Sequence, residues 1–387
     1  MTTGVPLSPC SFATLTPDKA GEWPFSLAEG DGLALAAAES ASHPCLAQGP
    51  LELNAGIWFL QRHSFRFPQH WRDYLGTHVA DQIEQSRFCL ALRQQSQPKD
   101  VSKLAHRLDR LYFCTQLHGL PGLGDFWIVP ARCTGSQLEP HGLWSGNHKA
   151  LPDIEGFATT LDTLTGAANM LPNAEVALDT PGVYGRVQRG KHALSRAMSE
   201  PWPDFRLHHY VQALEAVIMP GSGKRTGSDF RERTALFTAP SSEAESAIED
   251  IYELRCNTEH LHGWMAPRDH KSRRWEIDEH QAQLRLWQVE NLAFHVYRRI
   301  LSRRHVLDHF HDNEAIEQFW ALDEQTRRNE WGEPLDLARF VWKASSHLGV
   351  RDYSPLASFP GGVRSGERGD VPPWPRDAES RADGGTA

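Results

Sequence analysis

Apolar residues recur at helical spacing along most of the second half of the chain. In each stretch they return every three or four residues, which places them along one face of a helix. A serine at 241 or 242 and the acidic residues after it are typical of a helix start. The pattern predicts a short helix from about residue 229 and longer helices over 153–171, 182–198, 202–219, 241–264, 275–300, 313–327 and 335–347.

The N-terminal part alternates between strand-like and helix-like patterns. Residues 51–60 and 124–133 show the alternation and aromatic content of strands, and Pro130 interrupts the second. Residues 71–95 and 101–117 have helical spacing instead. The many prolines, glycines and serines before residue 48 indicate loop with one short element. This part is therefore predicted to be an α+β region.

Together these patterns predict a mainly α protein with an N-terminal α+β region. The α+β region is predicted to occupy residues 1–200, and the sequence does not indicate its role. A helical bundle is predicted over 201–310, followed by further helices over 311–350. The last stretch, 351–387, is rich in Gly, Pro, Arg and Asp, which is typical of a disordered tail.

Charge and composition narrow the classes of function. The 387 residues carry a formal net charge of -9, which argues against non-specific coating of nucleic acid but leaves room for a local basic groove. The six cysteines are scattered, without the close pairs of a structural zinc or redox motif. The start of the chain lacks a signal-peptide pattern, and the apolar run over 32–38 is too short to span a bilayer. We therefore expect a cytoplasmic protein without a membrane segment.

The helix over 241–264 carries an apolar seam that becomes polar. Six residues follow one another in alternating steps of four and three, which places them on one stripe: Ala244, Ile248, Ile251, Arg255, Thr258 and His262. Any element that packs against the three apolar residues also meets the guanidinium of Arg255 further along the stripe. Because burial of an unpaired guanidinium is costly, Arg255 is expected to have a partner, a cleft or a ligand.

Two histidines compete as neighbours of Arg255. In an unbroken helix His262 lies almost in line with Arg255, whereas His260 points well away. Gly263 favours a loosened last turn, which would let His260 approach instead. The sequence leaves both histidines open. His208 and His209, adjacent in an earlier helix, cannot share a face, so at most one could approach a site, and packing is the simpler interpretation.

Three blocks of sequence occur in an order that resembles a known superfamily. They are ALEAVIMP over 213–220, followed by a Gly-rich loop, FRERTALF over 230–237 and IYELRCNTEHLHG over 251–263. The set resembles the HEPN domain superfamily and looks most like its Apea-like branch, over about residues 202–304. The short motif of that superfamily is an arginine and a histidine separated by four to six residues. Arg255 matches it with His260 and also with His262.

The resemblance implies a fold and an activity. Members are helical bundles that form homodimers, with the arginines and histidines of both chains facing one cleft, and many cut RNA without a metal. For this chain it implies an HEPN-like helical bundle and a metal-independent endoribonuclease for single-stranded RNA, with Arg255, His260 and His262 as catalytic residues. The ribose 2′-hydroxyl would attack the adjacent phosphodiester, leaving a cyclic phosphate and a 5′-hydroxyl. A toxin or defence role, with an antitoxin or other protein partner, follows from the same resemblance.

Residues around the motif are expected to bind the substrate. Thr258 lies on the polar stripe, and Asn257 precedes it. A basic stretch follows over 264–275, where four cations outnumber one acidic residue: Arg268, Lys271, Arg273 and Arg274. We expect them to hold RNA phosphates, with no metal and no cofactor; a solvated surface is the other interpretation of these charges.

One residue departs from the pattern of active members. They commonly carry a polar residue directly after the arginine, where this chain has Cys256. The departure favours an alternative, a catalytically inactive HEPN-like scaffold that binds RNA or a protein. A further alternative is purely structural, with Arg255 held in an ion pair by an acidic residue of the first bundle helix such as Glu215.

Overall fold

A computed structural model of the 387-residue chain describes three single residues near the N-terminus and the ranges 31–38, 51–54, 56–60, 64–86, 88–94, 102–118, 126–134, 137–146, 161–180, 182–218, 226–270 and 273–340. Most of these residues are helical, and an antiparallel sheet occupies the N-terminal part. The predicted mainly α class with an N-terminal α+β region is thereby confirmed. None of the described helices has the length and apolar character needed to cross a membrane.

The described part of the N-terminal sheet contains seven strands: β1 (Gly32–Ala38), β2 (Leu51–Asn54), β3 (Ile57–Leu60), β4 (Phe88–Gln94), β5 (Phe126–Thr134), β6 (Gln137–Pro140) and β7 (Trp144–Gly146). Their spatial order is β2-β3-β4-β1-β5-β6, and β7 also pairs with β5. β1 lies in the middle, where Leu35 is opposite Ala91 on one side and Val129 on the other. The apolar run near the N-terminus is thus the central strand.

Helices cover both faces of this sheet: α1 (Gln69–Leu75) and α2 (Thr77–Glu84) on one face, and α3 (Ser102–Leu117) and α4 (Leu161–Asp179) on the other. Ala34 of β1 packs in the core with α3 and α4, whereas Leu33 and Leu35 pack in the core with α2. Because both faces are buried, β1 is apolar without alternation.

Two N-terminal predictions are wrong in detail. The strand predicted over 51–60 is the hairpin β2–β3, which turns at Gly56, whose φ of 78° favours glycine. The helix predicted over 71–95 ends with α2, and its last part is β4. The apolar residues there fit a strand as well as a helix, and pairing with β1 and β3 decides between them. The predictions over 101–117 and 124–133 match α3 and β5, and β5 accommodates Pro130 because β7 pairs before it and β6 after it.

The rest of the described chain is a set of helices: α5 (Gly185–Ser199), α6 (Pro203–Ile218), α7 (Thr226–Thr234), α8 (Ser242–Glu259), α9 (Glu279–Ser302), α10 (Arg304–Asp308), α11 (Asn313–Ala321) and α12 (Glu324–Trp331). α6 lies at the centre and packs against α5, α8 and α9. Val187 and Leu194 of α5 share one buried core with Leu214 of α6. The division of the chain at residue 200 stays a prediction, and the core is continuous across it.

The segments around and after α9 differ from their predictions. The basic stretch after α8 contains a short hairpin, β8 (Arg268–His270) and β9 (Arg273–Trp275). The helix predicted over 313–327 is interrupted between α11 and α12, because Asp323 caps α12 by accepting a hydrogen bond from the Thr326 N–H at 3.0 Å. Of the helix predicted over 335–347, the described part contains the 3₁₀ turn Leu337–Arg339. Residues 341–347 and the predicted tail over 351–387 lie outside the described residues.

Candidate functional site

Helix α8 carries the candidate site and begins as its sequence predicts. The Ser241 hydroxyl accepts a hydrogen bond from the Ala244 N–H at 3.0 Å, which confirms Ser241 as the cap. Ala244, Ile248 and Ile251 are all buried. The apolar half of the stripe therefore packs into the core, and Arg255 follows one turn later.

The end of α8 comes earlier than the spacing predicts. Its last helical residue is Glu259, and Leu261 adopts a left-handed conformation with a φ of 58°. The Leu261 N–H donates to the Thr258 carbonyl at 3.1 Å, and the His262 N–H donates to the Asn257 carbonyl at 2.9 Å. These two bonds form a Schellman motif, which satisfies the last carbonyls of a helix. The prediction that His262 continues the helical stripe is therefore wrong.

Replacement of Leu261 by glycine is expected to stabilise the protein by about 1 kcal/mol. A leucine is strained in the left-handed region, and this side chain is 86% exposed, so its loss removes little packing. Urea unfolding of the wild type, Leu261→Gly and Leu261→Ala measures the effect. Alanine keeps the strain and should gain nothing. A glycine variant no more stable than the alanine variant would contradict this account.

Arg255 lies between two carboxylates. Its Nη2 is 3.1 Å from Oε1 of Glu215 on α6, and its Nη1 bonds the Glu259 carboxylate one turn further along α8. Its Cζ lies 5.9 Å from the centroid of the Tyr252 ring. Burial lowers the pKa of Arg255, but the charges of Glu215 and Glu259 outweigh it and raise that pKa above the usual value. The ion pair with Glu215 that the sequence suggests is present.

A further imidazole, that of His208 on α6, lies close enough to feel this ion pair. Burial and then the charge of Arg255 hold the pKa of His208 below its usual value. Its Nδ1 is buried, and no described residue offers it a hydrogen bond. His208 and Glu215 are seven residues apart, on one stripe of α6. From sequence we predicted packing for His208. Its spacing from Glu215, which binds Arg255, is the signal that could have placed it near Arg255.

His260 and His262 lie together at the exposed end of α8. Their ring centroids are 6.3 Å apart, with the ring planes at 47°. Both residues are exposed, and Leu261 lies between them in its left-handed conformation. On a continuous helix the two side chains would diverge, so it is the turn after Glu259 that brings the rings together.

Asn257 and Thr258, which we expected to bind substrate, face the interior instead. Asn257 is fully buried, and its Nδ2 donates to the carbonyls of Trp264 and Ala266, each at 3.0 Å. The Thr258 hydroxyl donates to the Leu254 carbonyl at 3.2 Å. Both side chains hold local structure, and Asn257 in particular anchors the turn that carries the two histidines.

The basic residues after α8 are divided between an ion pair and the surface. Arg268 bonds Glu253 of α8 at 3.2 Å. Arg274 is 65% exposed beside an equally exposed carboxylate at 3.6 Å. Arg273 precedes it in β9, and Lys271 lies outside the described residues. Among the basic residues that we expected to bind phosphate, the charge of Arg274 is exposed to solvent, whereas Arg268 is paired with Glu253 of α8.

The site thus combines a carboxylate-bound guanidinium, a half-buried imidazole and two exposed imidazoles around the second half of α8. Within the described ranges, no three His, Cys, Asp or Glu side chains come together as the ligands of a metal ion would. Comparison of the chain with known protein families, with curated proteins and with solved structures finds no match.

Proposed function

We propose that the chain is a metal-independent endoribonuclease of the HEPN type that cuts single-stranded RNA. The observation that supports this best is the exposed pair His260 and His262, with ring centroids 6.3 Å apart, at the end of the helix that carries Arg255. Two neighbouring imidazoles allow one to accept a proton from the 2′-hydroxyl while the other donates a proton to the departing 5′-oxygen. Only RNA carries that hydroxyl, so DNA is not a substrate.

Arg255 supplies the positive charge in this proposal. The Glu259 side chain is 43% exposed and that of Glu215 is 16% exposed, so an incoming phosphate displaces Glu259 more easily. Glu215 then continues to hold the guanidinium in position. A guanidinium next to the reacting phosphorus stabilises the extra negative charge of the transition state.

The cellular role follows from the proposed reaction. In a homodimer, as the family resemblance implies, the α8 ends of two chains would share one cleft. Uncontrolled RNA cleavage makes such a chain a toxin or defence effector, and a protein partner such as an antitoxin would restrain it. Expression of the wild type is then expected to arrest growth, and expression of Arg255→Ala is not.

Loss of RNA cleavage on mutation is the direct test. Purified wild type should cut a mixed single-stranded RNA in EDTA, leaving cyclic-phosphate ends. Because proton transfer contributes about 10²–10⁴-fold, His260→Ala/His262→Ala should lower the rate by that factor, and Arg255→Ala should lower it strongly as well. His305→Ala, at an exposed histidine on α10, is the matched control and should cut at the wild-type rate.

The same assay can overturn the proposal. Each variant is first checked for folding by circular dichroism and thermal unfolding. No cleavage by a folded wild type, or equal cleavage by the wild type and the double histidine variant, would remove the endoribonuclease assignment.

A catalytically inactive HEPN-like scaffold that binds RNA or a protein is the second candidate. It is favoured by the engagement of Arg255 with two carboxylates and by the inward orientation of Asn257 and Thr258. This candidate predicts RNA or protein binding without cleavage. It also predicts that Arg255→Ala lowers the free energy of unfolding and that expression of the wild type does not arrest growth.

A further inference from the structure

A groove of about 680 Å³ runs between α5 and α6. This volume lies within the ~300–1,000 Å³ that is usual for ligand sites. Its polar lining from α5 consists of three arginines, a glutamine and a histidine, and α6 adds an amide and a carboxylate: Arg186, Gln188, Arg189, His192, Arg196, Gln212 and Glu215. None of the α5 residues was predicted from sequence to bind a ligand.

The three arginines and His192 form a row along one side of α5. Positions 186, 189, 192 and 196 fall within about 120° of one another around the helix. From Arg186 to Arg196 the helix rises about 15 Å. A row of this length along an open groove suits an extended polyanion better than a single phosphate.

This positive charge is poorly compensated by the residues that the structure describes. In the described structure no carboxylate lies within ion-pair distance of Arg189 or Arg196, and the Arg186 Nε bonds the neutral Asn313 side chain at 3.2 Å. Burial and then the charge of Arg189 lower the pKa of Arg186, against the weaker pull of Glu317. The one carboxylate among the described lining residues, Glu215, is engaged by Arg255. A cationic groove in a chain of net charge -9 is therefore expected to bind an anionic ligand.

Exposed aromatic residues lie at one end of this groove. α5 and α6 are joined by a short connection, and Trp202 and Phe205 at the start of α6 are 53% and 42% exposed. Phe205 lies on the same stripe of α6 as the lining residues Gln212 and Ala216. A cationic groove combined with exposed aromatic rings is the arrangement that holds single-stranded nucleic acid, with phosphates on the cations and bases on the rings.

We propose that the α5–α6 groove binds the backbone of single-stranded RNA, with Arg186, Arg189 and Arg196 on phosphates and a base stacked on Phe205. The choice of RNA rests on the proposed function. The groove leads to the ion pair at α8, because Glu215 lines the groove and also holds Arg255. An RNA strand bound in the groove would therefore reach Arg255. The groove thus adds a binding site for the substrate outside the motif that carries the catalytic candidates.

Binding of a 2′-O-methyl RNA, which has no nucleophilic hydroxyl, separates this proposal from cleavage. Fluorescence anisotropy with a labelled single-stranded 20-mer gives Kd at several salt concentrations. Arg189→Glu/Arg196→Glu, at two exposed positions, is expected to raise Kd about tenfold or more and to reduce the slope of log K against log salt by about 1.4, or 0.7 for each lost phosphate contact. Phe205→Ala is expected to raise Kd without changing that slope.

The matched control, Arg66→Glu/Lys103→Glu, makes the same change in net charge at exposed positions of the N-terminal region. It should leave Kd within about twofold of the wild type. A groove variant that binds as tightly as this control overturns the groove assignment, even if the wild type cuts RNA. Absence of RNA binding by the wild type also overturns it. Conversely, groove-dependent binding by a chain that cuts no RNA would support the groove and remove the nuclease.

Discussion

Replacement of Asp250 by alanine is expected to lower the free energy of unfolding by about 3–5 kcal/mol. Asp250 lies on α8 and is 6% exposed. Its Oδ1 accepts a hydrogen bond from Trp275 Nε1 at 3.0 Å, and its Oδ2 accepts from Gln281 Nε2 at 3.0 Å and from Arg285 Nε at 2.9 Å. Alanine would leave three donors without this acceptor and would remove one carboxylate from a buried guanidinium.

Asp250 links α8, which carries the candidate site, to two other elements of the fold. Trp275 lies in β9, and Arg285 lies in α9 with its side chain 4% exposed. Their bonds to Asp250 fix α8 against both elements, one and a half turns before Arg255. Buried polar networks of this kind are costly to break one partner at a time, since the remaining groups stay buried and unsatisfied.

Urea unfolding followed by tryptophan fluorescence measures the loss. Asp250→Asn keeps the shape and one acceptor oxygen, so it should lose less than Asp250→Ala. Glu276→Ala removes one side of an exposed pair with Arg274, at 3.6 Å, and should cost at most about 1 kcal/mol. A similarly small loss for Asp250→Ala would show that the network contributes little to stability.

Replacement of Gly190 by alanine is expected to cost about 3 kcal/mol, although alanine is the better helix former. Gly190 lies in α5, where an added Cβ would stand 1.4 Å from Oη and 2.5 Å from Cζ of Tyr297 on α9. Tyr297 is fully buried, and its hydroxyl donates to the Ala213 carbonyl of α6 at 2.9 Å. The missing side chain at Gly190 thus lets three helices meet at one point.

A double-mutant cycle tests this explanation. Tyr297→Phe removes the atom that the new methyl group would overlap most, so Gly190→Ala/Tyr297→Phe should be more stable than the sum of the two single changes by at least about 1 kcal/mol. Gly185→Ala is the control, since its added Cβ would meet only Arg189 Nη1, at 3.7 Å. It should change stability by at most about 0.5 kcal/mol. If the stability losses of the two single variants add up to that of the double variant, contact with Tyr297 is not the reason why position 190 requires glycine.

The helices that the sequence predicts correctly are those with strong local signals. α3, α5, α6, α8 and α9 all lie within a few residues of their predicted ranges. Hydrogen bonds within a helix are local, and a repeated apolar face marks the side that packs. The sequence left the cap open between Ser241 and Ser242 and gave an ion pair of Arg255 with Glu215 as one alternative, and the structure contains the Ser241 cap and that ion pair. In the same way, the sequence singled out the histidines at the end of α8.

Tertiary structure decided the features that depend on distant residues. β4 is a strand because β1 and β3 pair with it, although its apolar residues also fit a helix. α5 packs closely against Tyr297 of α9 because Gly190 has no side chain, and this contact joins residues far apart in the chain. Helical spacing contains no information on which distant strand or helix will supply a partner.

At the candidate site, too, some features follow from the sequence and others only from the tertiary structure. The sequence by itself determined that an apolar seam leads to Arg255 and that two histidines follow it. Only the tertiary structure decided that the helix ends before His262, because Asn257 bonds the carbonyls of Trp264 and Ala266 and holds the left-handed turn at Leu261. That turn brings the two imidazoles together. Residue types and helical spacing can be read along the chain, whereas a turn held by contacts beyond the helix cannot.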